Sequence, residues 1–208
     1  MNRIIKIILI DILKSKIVLA YTFILAILSW SSFALEDNSA KGILTILNVI
    51  LFTVPLVSIL FATIYLYNSS EFIELLLSQP IKRRKIWISL FLGLSISMIF
   101  AFFVGAGIPL LINSPDSIGI IMLINGCLIT VIFTALAFLS SILTRDKAKG
   151  IGIAIMTWLF FALLFDGLVL FLLFQFQDYP IENAMVGITA FSPIDLARIQ
   201  ILLHLDVS

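Results

Sequence analysis

Five long apolar runs, near residues 17–35, 43–67, 86–112, 118–143 and 151–176, set the pattern of the chain. A helix needs about 20 apolar residues to cross roughly 30 Å of hydrocarbon, so each run predicts one membrane span. Polar stretches separate the runs at Glu36–Lys41, Asn68–Lys85, Asn113–Ser117 and Thr144–Lys149, and read as loops or short helical links. The predicted fold class is therefore all-α, a polytopic transmembrane helical bundle of about five spans.

Residues 1–16 follow a different rule. Ile4, Ile5, Ile8, Leu9, Ile12 and Leu13 recur at the helical period, while Asn2, Arg3, Lys6 and Lys14 fall largely opposite. That pattern predicts an N-terminal interfacial helix lying along the membrane, although Ile7 and Ile10 intrude on its polar face. A cleaved signal peptide is disfavoured, because no small-residue cleavage site precedes a soluble domain.

The polar links also carry direction. Arg3, Lys6, Lys14 and Lys16 precede the first span, Lys82, Arg83, Arg84 and Lys85 the third, and Arg145, Lys147 and Lys149 the fifth. All three clusters fall on one side of an alternating topology, and Lys and Arg are retained in the cytoplasm during insertion. Lys41 and Arg198 remain for the other side, with Glu36, Asp37, Asp116, Asp178 and Glu182. The expected N-terminus is cytoplasmic, and residues 177–208 are expected to be extracytoplasmic. Within that tail Ser192 can cap a helix, Pro193 suits its first position, and Asp195 can complete a capping box and pair with Arg198. The apolar positions Ile194, Ala197, Ile201 and Leu205 point to packing on the membrane surface or on a partner.

Composition removes whole classes of function. Hydrophobic residues make up 62% of the 208 and charged residues 12%, and mean hydropathy is +1.21. That is more apolar surface than a soluble domain of this length buries. The 13 basic residues are divided among short loops and form no nucleic-acid surface. One cysteine, Cys127, and one histidine, His204, exclude a disulfide framework, a His-Glu-x-x-His zinc protease and a cysteine metal site. No Gly-x-x-x-x-Gly-Lys-Ser/Thr loop occurs, so ATP-driven work must be powered by another chain.

Three intramembrane polar residues remain as candidates. Asp166 is the one acidic residue well inside a span, where a lone carboxylate costs a few kcal/mol unless protonated or partnered. It reads either as a functional group or as an assembly contact in the outer third of its helix. Asn48 and Asn125 can join spans by hydrogen bonds, Pro55 and Pro109 can kink them, and Gly93, Gly105 and Gly107 allow close approach.

The link NSSEFIELLLSQPIKRRK, residues 68–85, is the most distinctive segment. Ser70 and Glu71 look like a helix start, Glu74 lies one turn on, and Pro80 ends the helix before the basic cluster. This segment resembles the cytoplasmic motif of ABC-2-type transporter permeases, in which a Glu-rich start leads to Leu-Glu-x-Leu-Leu-Ser-x-Pro and then basic residues. Glu74, Leu76, Leu77, Ser78, Pro80, Lys82 and Arg83 fall on that pattern, while Asn68, Ser69 and Phe72 depart from it. The distal FSPIDLARIQILLHLDVS is similar to the Asn-Pro-x-Asp-Leu-x-Arg stretch of NosY-type permeases of nitrous oxide reductase maturation. Pro193, Asp195, Leu196 and Arg198 match, with Ser192 in place of Asn.

The resemblance implies a single permease domain over residues 1–208, in a bundle expected to have six spans, so that a sixth would lie beyond Ser208. It implies a docking helix with Glu71, Glu74, Leu76, Leu77, Pro80, Lys82 and Arg83 against a separate ABC ATPase subunit. ATP and Mg would sit on that subunit, and no cofactor on this chain. It further implies a homodimer in the inner membrane, and a periplasmic accessory protein contacted through Pro193, Asp195 and Arg198. Two other readings stand beside it: a passive assembly or tethering subunit, and an intramembrane enzyme using Asp166. The second suffers from the lack of another acidic residue in any span, because carboxylate catalysis usually needs a partner group.

Overall fold

The computed structural model describes residues 2–35, 39–80, 82–176 and 187–207. The expectations placed on Glu36, Asp37, Asp178 and Glu182 fall outside the described residues, as do the side chains of Asn2, Arg3, Ile4, Lys41 and Leu205.

Hydrocarbon offers no partner for a backbone N–H or C=O, so each apolar run must satisfy its own backbone as a helix. The helices are α1 (Asn2–Leu13), α2 (Lys16–Ala34), α3 (Ser39–Asn68), α4 (Ser70–Leu77), α5 (Arg83–Phe102), α6 (Ile108–Asn113), α7 (Ser117–Leu143), α8 (Lys147–Leu159), α9 (Phe165–Gln175) and α10 (Pro193–Val207). Among the described residues five stretches are long and apolar enough to cross a membrane: Lys16–Ala34, Gly42–Asn68, Arg83–Asn113, Ser117–Leu143 and Lys147–Gln175. These are the predicted spans to within a few residues, and the protein is a multi-pass helical membrane protein.

Two spans change register midway through a π-helical turn. In the third span Pro109 has no N–H to give the Gly105 carbonyl four residues back. The turn Phe103–Gly107 absorbs this, the Ile108 N–H bonding to the Phe103 carbonyl instead. In the fifth span the turn Phe160–Leu164 lies just before Asp166 and contains no proline. One extra residue rotates the following helix by about 100° about its axis, which sets the direction of Asp166.

Spans 2 and 4 (α3 and α7) form the central pair, with span 3 against α7, span 1 against α3 and the π turn of span 3, and α8 against both α3 and α7. Without a hydrophobic drive between helices in lipid, close packing and small residues hold such a bundle. A Cβ on Gly93 would come within 2.7 Å of Ile8, and one on Gly105 within 2.9 Å of Leu25 and the Thr22 carbonyl. The sequence pattern did not single out Gly126, which lies under the buried ring of Phe102, or Gly150, which lies under the ring of Tyr67.

α1 packs along α5 with Ile8 and Ile12 fully buried, so protein rather than lipid covers the centre of its apolar face. Ile7 and Ile10 remain exposed on the opposite side. Span 5 is the least covered, with 11% of its most apolar stretch buried. Trp158 ties its first half to span 2, its ring 4.9 Å edge-on from Phe52 and its indole N–H donating to the Phe52 carbonyl at 3.3 Å.

Candidate functional site

The basic clusters define one end of the bundle, and there the link between spans 2 and 3 folds as expected. A single residue, Ser69, separates α3 from α4, and the Ile73 N–H already bonds to the Ser69 carbonyl at 2.9 Å. Ser69 gives no side-chain cap, and α4 stops at Leu77, where Ser78 bonds back to the Leu75 carbonyl at 2.8 Å. The helix thus starts at the expected Ser70 and ends three residues before Pro80.

α4 is short, so packing decides its orientation. Ile73 and Leu76, 7% and 6% exposed, face α3 and α5, while Phe72 and Leu75, 38% and 59% exposed, face away. Glu71 and Glu74 lie on the same outward side, and Ser78, Gln79 and Pro80 extend it. Lys82, Arg83, Arg84 and Lys85 follow, all exposed. Of the predicted docking residues, Leu76 is an anchor, Leu77 is half-buried, and Glu71, Glu74, Pro80, Lys82 and Arg83 are presented to solvent. Phe72 and Leu75 are the outward apolar residues that sequence reasoning missed. The alternation of buried and exposed positions along α4 is the signal that marks them.

This end is stitched by hydrogen bonds between residues far apart in sequence. Lys147 Nζ donates to Asn68 Oδ1 at 2.7 Å, and the Tyr67 hydroxyl donates to the Thr144 carbonyl, also at 2.7 Å. Asp146 caps α8 by accepting from the Ala148 N–H at 2.8 Å. The junction of α3 and α4 is therefore tied to the start of span 5.

The three intramembrane polar candidates gather at the other end. Counted at 1.5 Å per residue from the basic end of each span, Asn48, Asn125 and Asp166 all lie about 27–30 Å along, near the far edge of the hydrocarbon. α10 crosses this level. Its buried residues Ile194, Ala197 and Ile201 pack on α3, α7 and the π turn of span 5, not on a membrane surface or a partner as their spacing suggested. Ser192 caps it as predicted, its hydroxyl accepting from the Asp195 N–H at 3.3 Å.

Arg198 then reaches Asp166 at 2.7 Å and Asp195 at 3.6 Å. Asp166 is thus partnered, as its assembly reading required, and Asp195 supplies the acidic neighbour that the spans themselves lack. Arg198 and Asn48 line a cavity of about 420 Å³ together with Phe52, Ala162 and Ile194. On the other side of α10, Asn125 lines an apolar cavity of about 440 Å³ with Pro193, Ala197 and Gln200. The structure brings Asn48, Asp166 and Arg198 to one side of α10 and leaves Asn125 on the other.

Asp195 is 6% exposed, and among the described residues its Oδ2 has no hydrogen-bond donor. Burial first, and the Asp166 carboxyl second, push the Asp195 carboxyl up to about 6 from its ordinary 3.8. Between those two values the folded state holds a proton that the unfolded chain has lost. Docking of α10 should therefore strengthen as pH falls from about 6 toward 4, and weaken as pH rises through 6. Proteolysis of α10 at pH 5 and pH 8 checks this: slower cutting at pH 5 is expected, and Asp195→Asn should resist cutting equally at both.

Among the described residues no cluster of His, Cys, Asp and Glu is arranged to hold a metal ion. The fold and these two ends define a multi-pass α-helical membrane protein with an exposed amphipathic helix at its basic end. No protein-family model matches the chain. Over 169 residues it is 27% identical to the probable ABC transporter permease protein NosY of Pseudomonas aeruginosa, a match covering 76% of this chain and 62% of that protein. The chain thus spans about three-fifths of the length of the curated relative it matches.

Proposed function

We propose that this chain is the membrane-spanning permease subunit of an ABC-type transporter of the ABC-2 kind, powered by a separate ATPase that docks on α4. The observation that carries the reading is the presentation of α4 at the basic end. Ile73 and Leu76 hold the helix, while Glu71, Phe72, Glu74 and Leu75 face outward beside Lys82 and Arg83. A load applied to that face passes to spans 2 and 3 through Ser69 and the buried Ile73 and Leu76, and to span 5 through the Lys147–Asn68 and Tyr67–Thr144 bonds. The similarity to a permease supports the same reading.

In this reading ATP and Mg are bound by the partner, the chain itself catalyses nothing, and its basic end faces the cytoplasm from the inner membrane. Two copies form the working unit. The sparsely covered span 5, with Gly152 and Gly167 in open space, supports a second copy packing there. Copper-site maturation of nitrous oxide reductase, with a periplasmic accessory protein at Pro193, Asp195 and Arg198, rests on the resemblance of that stretch. Hydrolysis by Asp166 is the weaker reading, since Arg198 occupies the carboxylate that would have to act as a base.

Co-expression with an ABC ATPase tests the proposal. Glu74→Lys and Pro80→Leu should each lower ATPase co-purification roughly tenfold, about what a reversed or misplaced interface contact costs, without removing the protein from the membrane. Undiminished complex in both variants would overturn it.

A further inference from the structure

We infer that the cleft between α1, α2 and the end of α3 is a headgroup site for a phospholipid bearing a primary ammonium, of the phosphatidylethanolamine class. The cleft has a volume of about 450 Å³; its polar lining includes Asp11, Lys14, Asn68 and Ser69, and its apolar lining Ile17, Phe61 and Ile64. Its polar groups lie where α3 ends. Ile64 and Phe61 lie about 6 and 10 Å back along the span, and Ile17 is half exposed one residue into α2. An occupant must be polar at the level of Asn68 and apolar toward the span interior, which is the shape of a lipid.

The charges narrow the class. The Tyr65 hydroxyl donates to Asp11 Oδ2 at 3.2 Å, which fixes the carboxylate and leaves its other oxygen to accept an N–H. The Lys14 N–H bonds to the Ile10 carbonyl at 3.1 Å, so the helical path continues through Lys14. Residues three apart on a helix share a face, with Cβ atoms roughly 5–6 Å apart. A fixed anion beside a cation suits a headgroup whose phosphate meets Lys14 and whose ammonium, two carbons away, meets Asp11. A phosphatidylglycerol headgroup would satisfy Lys14 with its phosphate but bring no cation to Asp11. A choline headgroup carries the charge but has no N–H to give. The occupant would sit beside Ser69, the hinge between α3 and α4, and brace the joint. The inference does not depend on the permease reading.

The test reconstitutes the full chain in vesicles with equal parts phosphatidylethanolamine, phosphatidylglycerol and phosphatidylcholine, extracts it in mild detergent, and quantifies retained lipid by mass spectrometry. Phosphatidylethanolamine should be retained above its vesicle share. Asp11→Asn should cut its preference over phosphatidylcholine roughly two- to fivefold, what an interfacial ion pair is worth, and Lys14→Gln should lower retention of all three. Tyr65→Phe and Asp11→Glu keep both charges and should keep the preference. Equal retention of phosphatidylethanolamine and phosphatidylcholine by the native chain, a preference for phosphatidylglycerol, or a preference untouched by Asp11→Asn would overturn the inference. If Asp11→Asn is not recovered from the membrane, the lipid ranking of the native chain decides alone.

Discussion

Replacing Arg198 with alanine should release α10 from the bundle, seen as rapid proteolysis within Pro193–Val207 while the five spans stay intact. The guanidinium is the cation that Asp166 and Asp195 share, at 2.7 and 3.6 Å. Removing one member of a buried pair costs about 3–5 kcal/mol, because the other charge is left uncompensated. Here the side chains of Arg198 and Asp166 are 33% and 31% exposed, so water screens part of the loss and about 1–3 kcal/mol is the expected cost. Asp166→Asn in the Arg198→Ala background removes one orphaned charge and should restore much of the resistance. If the double variant is cut as fast as Arg198→Ala, the two residues do not act as a pair.

Gly126→Val should disrupt the packing of spans 3 and 4. Any Cβ at this position would overlap the Phe102 ring, and that ring is fully buried between spans 3 and 4. Overpacking a tight core costs about 1–3 kcal/mol even where neighbours can shift, and a β-branched side chain against an enclosed ring belongs at the upper end. The measurement is the thermal midpoint of the detergent-solubilised protein, together with the fraction recovered monodisperse. Gly126→Ala should lower both by less, and Phe102→Leu, which shortens the opposing group, should recover part of that loss. A normal midpoint for Gly126→Val would mean that spans 3 and 4 do not meet at this contact.

The fold was legible where hydrophobicity alone decides it. Run length gives the spans because lipid forces every such run to be helical, and the polar links fall between the observed helices with small shifts at Ser39, Arg83 and Lys147. What periodicity could not show was which apolar faces meet each other. Gly126 under Phe102 and Gly150 under Tyr67 join residues from different spans, and nothing local distinguishes these glycines from Gly152, which faces open space. α10 is the clearest case. Its cap at Ser192 is local and was readable, but its packing on α3 and α7 and the pairing of Arg198 with Asp166 join residues of different helices. Asp166 alone looked too deep for a carboxylate, and Arg198, expected to pair with Asp195, is the cation that also partners it.

For α4 the residue types marked a short helix and the resemblance implied a docking role, and the structure separates the side chains that hold the helix from those it presents. Leu75 and Leu76 are neighbours in sequence and face opposite ways. Placing a photo-crosslinking residue at each position, in cells that also express an ABC ATPase, tests the permease reading most directly. Position 75 should capture the ATPase and position 76 should give only products within the chain. ATPase captured equally from both positions, or from neither, would contradict it.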